Sequence, residues 1–492
     1  MLRKKILISL IALLFLVPTF TLVEGMKNAD ISLNTKPLKE EKPVLHLGIN
    51  AYCIGFAWYL AQEKGWWDEY DITVDFKFFV AGIPHMYAIA AGDVNIGTAI
   101  GDAPPIYVAA QELFPLKIIG MPCESTPSYF VVAKPEIKSI RDLKGKKVGV
   151  MKGSNLELVF LWALKKYGMS PEDVELVNLE TPDIYAALKA GKLDAGVPHP
   201  FHAWDLVNKY GYHIIFSGAE LDKPPNPVYQ KVFDCQVVNE DWAKDHKELI
   251  LKALAVYYRA VEYWKTHVDE VIDWVLPIQN KYMGMNMSRE LFYWWYRVLT
   301  QETLEDQLAK WFNRSYPANQ WDNYKARAQV LYEWGKISKI PDFEKVIDPT
   351  YVYELYNLKM DTLKAISDTE KYLMDKSKEG NDISGAIPYL EAAKEYYKKW
   401  NFWKASEQLK KAKAAVKPIS IPPTTVTKTI TVTTGAAGAT ITKTLTELST
   451  ITFTSTIEII PLSYWIILII IAIVIAIIAF YGGTKKKTSK TS

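Results

Sequence analysis

Apolar and polar positions follow two rhythms between residues 44 and 204, one of period two and one of three to four, and the two take turns. Val44–Ile49 is a short apolar run that predicts a strand, and Phe56–Lys64 predicts a helix closed by Gly65. Ile72, Val74, Phe76 and Phe78 alternate as a strand. Met86–Ala91 then reads as a helix ended by Gly92, Val94–Ala99 as a strand, Ala103–Glu112 as a helix and Lys117–Gly120 as a strand. The cycle resumes with strands at Lys147–Met151, Val174–Leu179 and Ala195–Pro198. Helices at Asn155–Tyr167, at Pro182–Ala190 and through Trp204 follow them in turn. Short strands alternating with helices of this length predict parallel α/β sheets. From Trp242 to Trp334 the pattern becomes helical and rich in aromatic residues.

The cycle has two halves, and the chain passes between them twice, along the extended segments Tyr129–Ala133 and Val232–Val238. Two crossings predict a two-lobed body over residues 44–352. Residues 44–126 and 235–352 form lobe 1, and residues 134–225 form lobe 2.

The flanks change the picture. Residues 1–25 open with Arg3, Lys4 and Lys5, run through an apolar stretch from Ile6 to Val17 and end in small residues near Gly25, the pattern of a secretory signal. No cysteine follows that stretch, so a lipidated N-terminus is excluded by its chemistry. Residues 26–43 read as a linker. Ala386, Leu390, Ala393 and Tyr397 fall on one helical stripe and Ala405, Leu409, Ala412 and Val416 on another, with Trp400–Asn401 between them. Residues 355–416 therefore predict an antiparallel helical hairpin, serving as a spacer or as a partner-binding coiled coil. Fifteen threonines in the 33 residues from Thr424 to Thr456 leave too few large apolar side chains for a core, so residues 417–458 read as an extended stalk. From Ile459 to Tyr481 only Pro461 and Ser463 interrupt an apolar run. As a helix it would extend about 34 Å, enough to cross a bilayer. Tyr464, Trp465 and Tyr481 sit where an aromatic belt belongs, and Lys485, Lys486 and Lys487 follow in a basic tail, 482–492. The expectation is one transmembrane helix with the C-terminus cytoplasmic and everything before residue 459 outside the cell.

Composition narrows the class of function. A net charge of +3 over 492 residues gives no clustered basic surface, so nucleic acid is not an expected partner. Cys53, Cys123 and Cys235 are widely spaced and make neither a disulfide framework nor a zinc knuckle. Asn286-Met-Ser288 and Asn313-Arg-Ser315 fit the N-glycosylation sequon.

Four segments carry a family likeness. AQEKGWWDEYDITVDF resembles an opening of helix, Lys-Gly, aromatic and strand, and MYAIAAGDVNIGTAIGDAPP resembles an Ala-Ala-Gly-Asp-Val-Asp-Ile-Gly segment with Asn95 where Asp is usual. IRDLKGKKVGVMKGSN and ETPDIYAALKAGKLDAGVPHPF resemble the entry to the second lobe and its later helix–loop. In this order, over about 300 residues, they resemble the type II periplasmic binding proteins of nitrate, sulfonate, taurine and thiamine-precursor importers. The resemblance implies two lobes closing on a small-molecule solute and then docking on an ABC permease with its ATPase. Hinge closure suits that role, because a ligand touches both lobes only when they are shut.

In open α/β sheets ligands sit beyond the carboxyl ends of the strands, which selects loops without reference to any family. The first strand leads to Asn50, Ala51, Tyr52, Cys53 and Gly55, the third to Thr98, Gly101 and Asp102, and the fourth to Cys123, Glu124, Ser125 and Thr126. In the second lobe the loops are Gly153-Ser154-Asn155 and His199-Pro200-Phe201. Backbone N–H groups at Gly153, Ser154 and Asn155 open a helix and suit an anion, while Ser154-x-x-Glu157 also fits a capping box that spends the hydroxyl locally. Asp102 either attracts a cationic or hydrogen-bond-donating solute or caps the helix at Ala103. Tyr52, Phe56, Trp58 and Phe201 either stack on a ring or belong to the core. The ligand-contact candidates are thus Tyr52, Phe56, Thr98, Asp102, Ser125, Thr126, Gly153, Ser154, Asn155, His199 and Phe201. His199 and His202 resemble a metal pair but lie across a strand–helix junction with no nearby carboxylate or thiolate, so neither a metal nor a cofactor is expected. No P-loop, Gly-x-Ser-x-Gly elbow, HExxH or CxxC set is present. Relatives of the resembled family that make a pyrimidine carry a cysteine cluster absent here. The expected function is therefore a binding subunit and not an enzyme; an enzyme or a solute receptor uncoupled from transport is the alternative.

Overall fold

A computed structural model of the chain describes residues 42–50, 53–222, 231–283, 285–419, 424–433 and 440–449. The N-terminal signal at 1–25, the candidate Tyr52 and the membrane helix at 459–481 lie outside the described residues.

Lobe 1 is built on a six-stranded sheet. Its first strands are β1 (Val44–Asn50), β2 (Thr73–Phe79), β3 (Ile96–Gly101) and β4 (Leu116–Glu124), with helices α1 (Ala57–Glu63), α2 (Gly82–Ala90) and α3 (Ala103–Gln111) between them. Lobe 2 carries a five-stranded sheet of β5 (Phe130–Ala133), β6 (Lys147–Val150), β7 (Glu175–Asn178), β8 (Ala195–Gly196) and β9 (His213–Ser217). Its helices are α4 (Asn155–Lys166), α5 (Thr181–Lys189) and α6 (Pro200–Tyr210). The chain then returns to lobe 1 with β10 (Phe233–Asn239), the helices α7 (Lys247–Thr266), α8 (Val268–Met283) and α9 (Arg289–Val298), the edge pair residue strand β11 (Thr300–Gln301) and α10 (Gln320–Glu333).

Strand order is β11-β4-β10-β3-β1-β2 in lobe 1 and β7-β6-β8-β5-β9 in lobe 2. Neither sheet is purely parallel, which corrects the expectation from the alternating pattern. β1 pairs in parallel with β2 and β3, but β10 runs antiparallel between β3 and β4. Likewise β6 is parallel to β7 and β8, while β5 runs antiparallel to β8 and β9. In each lobe the reversed strand inside the sheet is the one that enters from the other lobe, and in lobe 1 the two-residue edge strand β11 is also antiparallel to β4. The entering strand arrives without a helical crossover, so nothing obliges it to run with its neighbours.

The two crossings lie side by side. The Ser125 amide donates to the Val232 carbonyl at 2.9 Å and the Val232 amide to Thr126 Oγ1 at 2.7 Å. The Gly218 amide donates to the Tyr129 carbonyl at 2.8 Å, and a Cβ on Gly218 would stand 2.0 Å from the Thr126 carbonyl oxygen, so a side chain there would push the end of β9 off the first crossing. Asp194 accepts from Lys134 Nζ at 2.9 Å and from the Lys147 amide at 3.0 Å, tying three strand ends of lobe 2 together.

Residues 355–416 fold as three helices rather than a hairpin alone. α11 (Thr350–Lys378), 29 residues long, packs on α7 and β4, and α12 (Ile387–Lys398) and α13 (Phe402–Ala414) pack on each other and on α11. Ile366, Leu373, Ala386, Leu390, Ala393, Leu409 and Ala412 form their shared core. The tip of the α12–α13 turn is bonded to lobe 1. Asn401 Nδ2 donates to the Glu69 carbonyl at 2.7 Å, Tyr70 Oη donates to the Lys399 carbonyl at 2.8 Å, and Trp400 Nε1 donates to Glu262 at 2.8 Å.

A second unit holds, among the described residues, 380–382, 417–419, 424–433 and 440–449. Within it β12 (Asn381–Asp382) pairs with β13 (Lys417–Pro418), and β14 (Thr424–Thr433) pairs antiparallel with β15 (Thr440–Ser449) along its whole length. The threonine-rich stretch, expected as a single extended stalk, thus folds back on itself where it is described. Alternating β-branched residues favour that pairing.

Candidate functional site

The strand ends of both lobes meet at one partly enclosed cavity of about 50 Å3. Lobe 1 contributes Asn50 from the end of β1, Gly101 from the end of β3, Asp234 from β10 and Trp295 from α9. Lobe 2 contributes Ser154, Asn155 and Leu156 at the start of α4 and His199 before α6, while Ser125, Ser128 and Tyr129 come from the first crossing.

Four of the ligand-contact candidates line this cavity, Ser125, Ser154, Asn155 and His199, as do Asn50, Gly101 and Pro200 from the same strand-end loops. Apart from Tyr52, which lies outside the described residues, the others are placed elsewhere. Phe56 is fully buried in the core of lobe 1, packed on Phe78 with ring centroids 6.0 Å apart, and Trp58 spends its Nε1 on the Ala253 carbonyl at 2.8 Å. Thr98 is fully buried within β3. Thr126 is committed to the crossing. The Gly153 amide donates to Glu157 Oε2 at 2.8 Å, so that helix-start donor is spent on its own helix. Phe201 is fully buried behind His199, the two ring centroids 3.9 Å apart, and supports the cavity wall without lining it.

Asp102 corrects both of the readings offered above. It neither lines the cavity nor caps α3 with its side chain. It forms a fully buried ion pair with Arg327 of α10 at 2.8 Å, and its Oδ2 also accepts from the Phe233 amide at 2.8 Å. Burial pushes Asp102 up to about 6 against the pull of Arg327. Arg327 in turn donates to the Lys231 carbonyl. The pair therefore clamps the base of β10 where the second crossing re-enters lobe 1.

The α3 cap comes from the other lobe. Asn155 Oδ1 accepts from the Ala103 amide at 2.9 Å, and Asn155 Nδ2 donates to Tyr129 Oη at 3.3 Å and to the Phe233 carbonyl at 3.4 Å. Asn155 thus bridges the lobes at the cavity floor. Ser154 caps its own helix: its Oγ accepts from the Glu157 amide at 3.3 Å and donates to the Met151 carbonyl at 2.6 Å. The first turn of α4 still presents backbone N–H groups that have no partner within the helix, and Asn155 and Leu156 bring them to the cavity.

The sequence reading missed Asp234, which lies two residues into β10 and is 6% exposed. Burial, reinforced by the charge of Asp102, pushes its carboxyl up to about 8, with the Ser125 hydroxyl acting the other way. A signal was available, since Asp234 is the one acidic residue in the apolar run Val232–Val238 and buried acids without an obvious partner mark sites. Burial also holds His199 well below its ordinary range, so its ring is neutral at physiological pH. His202 stacks on Tyr185 at 4.5 Å outside the cavity. Among the described residues no three His, Cys, Asp or Glu side chains converge to hold a metal ion.

A family model described as NMT1/THI5 like matches residues 52–271. The chain is 31% identical to the taurine-binding periplasmic protein of Escherichia coli (strain K12) over 199 residues, which is 40% of this chain and 56% of that relative. The match therefore spans little more than half of the relative's own length. Among solved structures, the periplasmic aliphatic sulphonate binding protein SsuA from Escherichia coli superposes with a TM-score of 0.50 at 20% identity, covering 62% of this chain and 92% of that one. The alkanesulfonate-binding protein SsuA from Xanthomonas axonopodis pv. citri, bound to MOPS, superposes with a TM-score of 0.50 at 17% identity, covering 63% and 99%. These likenesses show the fold: the two sheets belong to a two-lobed α/β body of the periplasmic-binding-protein kind.

Proposed function

We propose that this chain is the solute-binding subunit of an ABC importer and that its solute is a compact zwitterion joining an oxyanion, such as a sulfonate, to an ammonium group. The observation that carries the reading is the composition of the interlobe cavity. A buried carboxyl, Asp234, stands on lobe 1, and amide, hydroxyl and helix-start donors stand on lobe 2, with no Lys or Arg among the described lining residues. Near neutral pH burial keeps Asp234 largely protonated, and an ammonium would pair with its ionised form and lower its proton affinity. About 50 Å3 accommodates roughly three to five water-sized groups, which favours a short solute such as taurine over an extended one. The name of the taurine-binding relative and the titles of the two sulfonate-binding structures support the same class.

Delivery to a permease and its ATPase completes the reading, and the apolar run 459–481 is the segment that would hold the chain to the membrane with the binding body outside. Truncation before residue 459 is expected to move the protein from the membrane fraction to the medium; retention in the membrane would overturn the anchor. For the solute, melting of the detergent-solubilised full chain is measured against taurine, methanesulfonate, nitrate and a pyrimidine. Taurine should raise the melting temperature in step with its concentration over affinity. A shift by nitrate as large as that by taurine, or no shift by any of the four, overturns the solute class.

A further inference from the structure

Behind the cavity wall lies a histidine that the sequence pattern did not single out. β1 and β3 pair in register at Gly48 and Gly97, so two bare backbones lie side by side in the middle of the lobe 1 sheet. A Cβ on Gly48 would stand 2.0 Å from His85 Nε2 and one on Gly97 2.6 Å from the same atom. The paired glycines are therefore the slot in which the His85 ring sits. His85 projects from α2, is fully buried, and stacks on Phe79 with centroids 4.2 Å apart and planes 7° from parallel. Its Nδ1 lies 2.9 Å from Oδ1 of Asn50, and Asn50 lines the cavity.

A neutral imidazole carries one N–H, and its position decides what Asn50 offers the solute. With the proton on Nδ1, the ring donates to Asn50 Oδ1 and leaves a bare lone pair on Nε2 facing the glycines. With the proton on Nε2, a buried donor is stranded, because Nε2 has no hydrogen-bond partner among the described residues. Asn50 would then have to turn its amide over and present oxygen to the cavity. A stranded buried donor is the costlier arrangement. Burial holds His85 down at about 3, so the ring stays neutral over the whole working pH range.

We propose that His85 is a positioning residue which, as the Nδ1–H tautomer, takes up Asn50 Oδ1 and turns the Asn50 NH2 group toward the solute as an oxyanion donor. This rests on the reading of the cavity as a site for a solute with an oxyanion, and it assigns Asn50 to that end of the solute. Asp234 is left to the ammonium end.

Two measurements test it. In the full chain labelled with 15N histidine, long-range proton–nitrogen correlation at pH 7, with His85 assigned by its loss in His85→Gln, should show a protonated Nδ1 and a bare Nε2. The reverse pattern overturns the proposal without reference to any ligand. Binding of taurine and of methanesulfonate by calorimetry supplies the second readout. His85→Leu, which has no donor, should weaken both by about tenfold, and His85→Gln, which keeps an N–H, should stay within about threefold of wild type. Asn50→Asp should weaken methanesulfonate at least as much as His85→Leu. Equal losses in the Leu and Gln variants, or none, overturn the positioning role. If the wild-type chain binds neither sulfonate, the solute reading fails and the donor role with it, while the nitrogen spectrum still decides the tautomer.

Discussion

Asp234 is where the chemistry of single residues makes its sharpest demand. Its carboxyl is pushed up to about 8 by burial and by Asp102, whereas in the unfolded chain it titrates near 3.9. The folded state therefore binds the extra proton between about pH 4 and pH 8, and stability falls as pH rises through that window. An ammonium solute reverses the preference, because it pairs with the ionised form. Taurine affinity should accordingly rise by up to about tenfold per pH unit between pH 6 and pH 8 and then level off. Asp234→Asn should flatten that profile, raise the melting temperature of the free protein at pH 8, and leave methanesulfonate bound about as tightly as before. Isothermal titration at four pH values checks it, and an unchanged slope in Asp234→Asn places the ammonium elsewhere. The Asp102–Arg327 pair makes a second demand. Both side chains are 0% exposed, so Arg327→Met strands a buried carboxyl and should cost about 3–5 kcal/mol in denaturant unfolding. Asp102→Asn combined with Arg327→Met should recover part of that. Neither residue was legible for what it is. Asp102 stands in a strand-end loop that looks like a site, and the partner that explains it sits far downstream in α10, a helix with no pattern of its own to mark one buried arginine.

At the level of elements, local punctuation made most of the fold legible. Glycines after α1, α2 and α5 and apolar runs of four to seven residues placed β1–β8, β10 and α1–α6 within a few positions, whereas β9, β11 and the separate helices α7–α10 were not bounded. Pairing was not legible in the same way. β10 lies between β3 and β4 because the chain re-enters lobe 1 from outside, a long-range event that leaves no mark in the periodicity of Val232–Val238. The α12–α13 turn is a second case. The stripes of alanine and leucine predict two helices, but nothing in them says that Trp400 will adopt a left-handed φ of 61° and seat its ring against Tyr258 and under Lys359 Nζ, 4.2 Å from the ring centre. Left-handed backbone is costly for a bulky residue, so the contacts made by the tip hold it there. Trp400→Ala should cost about 3–5 kcal/mol of docking. Amide exchange across 387–414 should then quicken while exchange in β1, β3 and β10 stays slow. Uniform slowing or quickening of both regions would count against a separately docked tip.

The two lobes share a contact surface divided between the solute cavity and a set of bonds lying outside it. Glu157 of α4 is central to that set. It is 1% exposed, accepts from Tyr107 Oη of α3 at 3.0 Å, and is paired with Lys336 beyond α10 at 3.5 Å, while Lys165 meets Glu333 at 2.8 Å nearby. None of these residues lines the cavity, and Tyr107 and Lys336 reach the solute only through the position of the lobes and through Glu157, which also holds the Gly153 amide at the start of α4. Apparent affinity scales with the fraction of molecules in the competent arrangement, and hinge closure is the motion such a two-crossing body allows. Tyr107→Phe combined with Lys336→Met should therefore enlarge the radius of gyration in solution scattering and weaken taurine by about five- to tenfold. Saturating taurine should restore the smaller radius. The separation from the cavity makes the outcome diagnostic, because a loss of affinity with no change in radius would mean that these bonds shape the pocket directly and that closure is not what they control.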